Sequence, residues 1–186
     1  MVTAIIDPTA GLRTEAAALP ADAARPDGFS GLRIGLLENT KHNADHILSA
    51  LGDALAERHD VGALVHRTKP VFAMPLPEDL VEELIRECDV VVIGVGDCGS
   101  CSASAVADGI ALERVGIPTA VICTDAFIAP SQAMADLKGA PEYPFVLTAH
   151  PIANLADEAI VARGRELAGQ VEARLVRSAA VVGSPS

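Results

Sequence analysis

A three-layer α/β fold around a five-stranded parallel sheet is what this sequence predicts, and three observations carry it. Short apolar runs alternate with stretches of helical periodicity along most of the chain. The central run, Val90-Val91-Val92-Ile93, does not alternate with polar residues, so its strand is expected to be covered on both faces. Parallel strands need a crossover helix between them, and crossovers are right-handed. Five strands fit the flavodoxin-like, Rossmann-like order 2-1-3-4-5, in which the winding reverses between the first and third strands and ligands bind beyond their C-terminal ends.

Residues 1–30 read as an N-terminal arm. Ile5-Ile6-Asp7-Pro8 is apolar enough to dock on its own domain or on a neighbouring subunit. Residues 9–30 carry no sustained apolar period and include Leu19-Pro20 and Arg25-Pro26-Asp27-Gly28, which favour turns and extended chain. A single α/β domain is expected over 31–178. Its first strand is Arg33-Ile34-Gly35-Leu36-Leu37. A helix follows from Asn43, a good N-cap residue, with Ala44, Ile47, Leu48, Leu51 and Leu55 at helical spacing. Val61 to Thr68 reads as the second strand. Glu78 to Glu87 reads as a helix started beside Pro77, with Leu80, Val81, Leu84 and Ile85 on one face. The buried third strand, Asp89 to Val95, leads into a helix carrying Ala103, Val106, Ala107, Ile110 and Ala111. Ile117 to Cys123 is the fourth strand, Phe145 to Thr148 the fifth, and the last helix runs from about Asn154 to Leu175. Its inner stripe is Ile160, Gly164, Leu167, Ala168, Val171 and Leu175. Residues 179–186 read as a flexible tail.

Composition narrows the function classes. The 186 residues suffice for one domain with a full core. Fourteen basic residues against 25 acidic ones give a net charge of −11, which repels nucleic acid phosphates and anionic lipid. With no Trp and one Tyr, the chain has no means to build base-stacking platforms. No apolar run approaches the roughly 20 residues of a membrane span. The N-terminus lacks the basic head and apolar segment of a secretory signal, so a reducing cytoplasm is the expected compartment. There, four Cys residues point to redox chemistry, catalysis or metal binding before a disulfide scaffold.

The chemistry is expected in Gly94-Val95-Gly96-Asp97-Cys98-Gly99-Ser100-Cys101-Ser102, which leaves the most buried strand and enters a helix. A helix start offers unpaired backbone N–H groups that favour negative charge, the setting that pulls a thiol pKa below about 8.5. Cys98 is the candidate nucleophile. Two intervening residues place Cys101 about one helical turn on, near enough to resolve a mixed disulfide at Cys98. Gly99, Ser100 and Ser102 keep the turn small and open to a substrate. The plainer alternative is that both Cys are small hydrophobes filling the top of the sheet. Asp97 opposes a thiolate beside it unless it accepts a proton or faces away.

The run Gly96-Asp97-Cys98-Gly99-Ser100-Cys101-Ser102 resembles the signature of the UGSC family, named for selenocysteine-Gly-Ser-Cys, some members of which carry selenocysteine at the position of Cys98. The resemblance extends to Ile6-Asp7-Pro8-Thr9, to Leu36 through Asp45, to Lys69-Pro70, to Gly116-Ile117-Pro118-Thr119 and to His150-Pro151. It implies a catalytic redox-active or nucleophilic residue at Cys98 with Cys101 as its partner. This chain is a cysteine version.

Lys41 and His42, in the loop after the first strand, are expected across the crevice from Cys98, where a cation stabilises a thiolate or holds an anionic substrate. Asn39 adds neutral hydrogen bonding there. A solvated, capped helix start explains the same residues. Cys123 ends the fourth strand, followed by Asp125, and His150 follows the fifth; each lies at the same sheet edge. Cys98, Asp125 and His150 stand in the chain order of α/β-hydrolase nucleophile, acid and histidine, although Ser100 replaces the second Gly of that turn. Cys123 also reads as a buried inert thiol. A zinc site of Cys98, Cys101, Cys123 and His150 has only one close-spaced ligand pair behind it, so no metal is expected. No Gly-x-Gly-x-x-Gly run or P-loop follows a strand, so no tightly bound nucleotide is expected either.

Three functions follow as expectations. The first is a thiol oxidoreductase acting on a small-molecule or thiol substrate and restored by an external reductant. The second is a non-redox cysteine-nucleophile hydrolase, lyase or hydratase. The third is a non-catalytic binding module. A homo- or hetero-oligomer formed through the N-terminal arm is also expected.

Overall fold

Short apolar runs and helical stretches become five strands and five α-helices in the computed structural model, which describes residues 22–177. In chain order they are β1 (Arg33–Glu38), α1 (Ala44–Arg58), β2 (Ala63–Thr68), α2 (Glu78–Glu87), β3 (Val90–Gly96), α3 (Gly99–Arg114), β4 (Thr119–Thr124), α4 (Ile128–Leu137), β5 (Val146–Thr148) and α5 (Asp157–Leu175). A short 3-10 turn, Asp125–Phe127, precedes α4. Every pairing is parallel and the order is β2-β1-β3-β4-β5, the expected three-layer arrangement. β3 is buried along its whole length, as its unbroken run of Val and Ile requires of a strand with helices on both sides.

Two cores hold the sheet. On one face α1 and α5 pack Ile47, Leu48, Leu51, Leu167 and Val171 against Ile34, Leu36 and Val92. On the other, Leu80 and Leu84 of α2, Val106 and Ile110 of α3 and Ala135 of α4 cover Leu37, Val91, Ile93 and Val121. The α5 stripe expected from the sequence is the set that is buried. Gly164 lets α5 close on α1, because a Cβ there would come within 2.7 Å of the Ile47 carbonyl oxygen.

Three features differ from the sequence expectation. Helix α4 lies in a stretch where no apolar period stands out, because it buries only Ser131 and Ala135. Asn43 does stand at the N-cap of α1, but in the left-handed conformation, and its side chain makes no cap bond. Its amide instead donates to the carbonyls of Ile152, Ala153 and Leu155, tying α1 to the loop after β5. On α2 the apolar stripe is wider than the core contact: Leu80 and Leu84 are buried, Val81 is half-buried and Ile85 is 47% exposed.

The described end of the arm is held on the domain. Phe29 is buried in the α1/α5 core. The Ala23 amide donates to Glu113 Oε2 (2.6 Å), and Arg25 forks onto both Glu113 oxygens at 2.9 and 2.8 Å. Extended chain anchored by one ring and one ion pair leaves no periodicity for a sequence reading to detect. Residues 1–21, including Ile5-Ile6-Asp7-Pro8, and the tail at 179–186 lie outside the described residues.

Candidate active site

The winding reverses between β1 and β3, and the two loops leaving that point, Asn39–Asn43 and Asp97–Cys98, face one another. Asn39 is buried and pairs in both directions with the backbone of Val95: its Nδ2 donates to the carbonyl and its Oδ1 accepts the amide, each at 3.0 Å. The Gly94–Val95 peptide bond there is cis. Asn39 was expected to face a substrate. Its amide is instead spent on fixing the end of β3.

Gly96 has no room for a side chain, since a Cβ would stand 2.7 Å from Ser102 Oγ, 2.8 Å from Cys123 Sγ and 2.9 Å from Ser102 Cα. That close approach brings the start of α3 down onto the sheet and puts Cys98 at its N-cap, with extended φ and ψ of −156° and 164°. The Cys98 sulfur does what a capping oxygen does elsewhere, accepting the Cys101 amide three residues on at 3.3 Å. No atom of the described residues lies within 4 Å of where a Cβ at Gly99 would be.

The Cys98 and Cys101 Sγ atoms lie 2.6 Å apart. Ser100 Oγ is 3.6 Å from Cys98 Sγ, and the Cys98 carbonyl oxygen is 3.2 Å from Cys101 Sγ. The two thiols titrate in opposite directions. Partial burial pushes Cys98 up, but the hydrogen bonds from the Cys101 thiol and amide, the Ser100 hydroxyl and the Lys41 charge outweigh it and bring Cys98 below its ordinary value. Cys101 is pushed up to about 12, first by burial and then by its bond to the Cys98 sulfur and that sulfur's charge. Cys98 is therefore the more acidic of the two sulfurs, and Cys101 the one that keeps its proton longer as pH rises.

Asp97 faces away from the thiol pair. Its carboxylate, 6% exposed, accepts the Ile152 amide at 3.2 Å and the Ala153 amide at 3.0 Å, and meets His150 Nδ1 at 2.8 Å. Asp125, expected as the acid partner of His150, accepts that residue's backbone amide at 3.1 Å. The imidazole belongs to Asp97 and, at 3.2 Å, to Thr124 Oγ1. Of the β1 loop cations, Lys41 lies over the Phe72 ring at 4.5 Å and contributes its charge at Cys98, whereas His42 Nδ1 donates to the Ala153 carbonyl at 2.9 Å.

Ser102 and Cys123 sit beneath the turn. Both are buried, and the Ser102 hydroxyl has no hydrogen-bond partner in the set of described residues, so it is not turned toward a substrate as expected. Burial pushes Cys123 up to about 11, and Cys88, at the opposite end of β3, is likewise raised to about 11. Among the described residues no three His, Cys, Asp or Glu side chains are grouped to hold a metal ion. No described helix is long and apolar enough to cross a membrane.

Sequence reasoning passed over one cluster beside this site. Lys69, just after β2, is buried and donates to Ser104 Oγ at 2.7 Å and to Asp108 of α3 in an ion pair. Ser104 Oγ in turn donates to the Met74 carbonyl at 2.9 Å, and Asp108 Oδ1 accepts the Leu76 amide at 3.1 Å. The available signal was a carboxylate inside an otherwise apolar helical stretch, Ala103 to Ala111.

A doubly wound sheet with a Cys-x-x-Cys turn at its switch point is the class that fold and site define. The family model of the UGSC family matches residues 4–177, and the chain belongs to that family. Comparison with curated proteins and with solved structures finds no match.

Proposed function

We propose that this protein is a thiol oxidoreductase in which Cys98 attacks and Cys101 resolves. The observation that carries the reading is the opposed titration of two sulfurs 2.6 Å apart at a helix N-terminus. With a disulfide substrate, the Cys98 thiolate forms a bond to one substrate sulfur while the other leaves as thiolate with the electron pair. The Cys101 thiol then loses its proton and attacks Cys98 Sγ, which closes the Cys98–Cys101 disulfide and expels the second substrate thiolate. The substrate gains two electrons and the protein loses two; an external dithiol restores it. The high pKa of Cys101 keeps it from competing for the first step, and its approach to Cys98 makes the second step intramolecular.

The test is mass spectrometry of protein oxidised with a small aliphatic disulfide. A Cys98–Cys101 linkage is expected, with a stable mixed disulfide on Cys98 in Cys101→Ser. Oxidised protein that lacks the linkage rules the mechanism out.

One observation favours a second reading, non-redox covalent catalysis. The Asp97 carboxylate holds His150 Nδ1, an orientation that leaves the other ring nitrogen to serve as a base toward a bound substrate. Full turnover by Cys101→Ala without added reductant would select it.

A further inference from the structure

A groove of about 440 Å³ begins at the active-site turn and runs along α3. Along its length α3 presents Ser100, Ala103, Ala107 and Ala111, every fourth residue or nearly so, none of them fully buried on a helix whose other residues largely are. Leu76 and Val81 line one side and Met134 and Leu137 the other. Val81 is the α2 residue that the core leaves half-covered, and Leu137 is 76% exposed. This volume is within the range of small-molecule sites, and the lining is mostly apolar with a few polar groups, as such sites are.

Two features connect the groove to the chemistry. Ser100 belongs to both, lining the groove while its hydroxyl lies 3.6 Å from Cys98 Sγ. Segment 70–77 also spans both, with Phe72 under Lys41 and Leu76 in the groove wall. That wall is fixed from below. The buried Lys69, Ser104 and Asp108 cluster holds the Met74 carbonyl and the Leu76 amide against α3. A preformed channel of methyl groups that opens beside a nucleophile fits a flexible chain better than a second folded surface, which needs a projecting segment to enter it.

We infer that this groove binds the unbranched aliphatic chain of a substrate whose electrophilic sulfur or oxygen is delivered to Cys98. The inference rests on the reading of Cys98 as nucleophile. From Ser100 to Ala111 the helix advances about 16 Å, which corresponds to an extended chain of roughly twelve to thirteen carbons. Lys138 lines the groove as well, after Leu137 at the end of α4.

Alkyl methanethiosulfonates from methyl to tetradecyl test this directly on Cys101→Ser protein. The Cys98 thiolate attacks the alkylthio sulfur, the S–SO2 bond breaks, and methanesulfinate leaves with the electron pair. Adduct formation is followed by mass spectrometry, with each rate divided by that of free cysteine. The relative rate is expected to rise roughly twofold per added methylene, about half the gain of full burial, and to level off near dodecyl. Ala107→Phe is expected to remove the chain-length gain. Ala111→Leu, at an exposed helix position, is expected to shift the plateau to shorter chains. A fast methyl reaction with a flat series overturns the groove assignment alone, and so does a rising series that neither variant alters. If all reagents react no faster than with free cysteine at equal pH, the nucleophile reading is what fails. A flat series in wild type together with loss of a dimer in Ala107→Phe, read by light scattering, assigns the groove to a second copy and overturns the proposal.

Discussion

Asp97 meets His150 Nδ1 at 2.8 Å, and the same carboxylate accepts the amides of Ile152 and Ala153, so the residue before Cys98 staples the β5 loop to the end of β3. The carboxylate therefore makes its hydrogen bonds on the side away from Cys98, and the acid next to this thiol does not face it.

Asp97→Ala strands two amides that the carboxylate now satisfies, each worth about 1–3 kcal/mol when buried and unmet. A loss of roughly 2–4 kcal/mol is expected in urea unfolding, with Asp97→Asn losing less because it keeps an acceptor oxygen. A loss below about 0.5 kcal/mol in Asp97→Ala contradicts the staple.

Cys98 has a structural role besides its chemistry, since its sulfur caps α3. Cys98→Ala removes the cap and is expected to cost about 1 kcal/mol, whereas Cys98→Ser keeps an acceptor and stays within about 0.5 kcal/mol of wild type. Both abolish thiol reactivity. Equal melting of the two variants counts against the capping role.

Glu113 is fully enclosed by Arg25, Arg174, the Ala23 amide, and the Thr119 amide and hydroxyl. Removing one partner of a buried pair leaves the other charge uncompensated, so Glu113→Ala is expected to lose about 3–5 kcal/mol. Limited proteolysis with proteinase K should then cut within residues 22–26, which wild type protects. An unchanged cleavage pattern shows that residues 22–26 are held by something else.

Lys69→Met leaves Asp108 buried without its cation, at an expected cost of about 3–5 kcal/mol, and Lys69→Met with Asp108→Leu recovers most of it. Because the pair also holds the groove wall, both variants are expected to lose the chain-length dependence at Cys98. Retained dependence in the double variant means that the wall stands without the pair.

How much of this was legible in the sequence follows from what kind of interaction each feature uses. Strand β3 and helix α5 announce themselves because burial writes a period into the chain: unbroken Val and Ile in one, Ile160 to Leu175 at helical spacing in the other. The Cys98 turn was legible for a similar reason, as sulfur, Gly and Ser follow directly on a buried strand. Asn39, Asp97 and Asn43 show the opposite case. Each is a polar loop residue whose role is set by backbone groups 56 to 112 positions away, and no local pattern says whether such a side chain faces solvent or a distant amide. Helix α4 escaped because it buries almost nothing, and the Lys69–Asp108 pair because its partners are 39 residues apart.

The account depends most on the unequal acidity of two neighbouring sulfurs, and the pH dependence of iodoacetamide labelling measures it. Thiolate is the labelled form, so the rate rises with pH through each pKa. The predicted profile has Cys98 half-maximal below the ordinary value of about 8.5 while Cys101 stays unlabelled through neutral pH. Replacing Cys101 with Ala removes a donor to the Cys98 sulfur and should move that midpoint upward. A Cys98 midpoint at or above the free-cysteine value, or labelling of Cys101 ahead of Cys98, contradicts the assignment of nucleophile and resolving thiol.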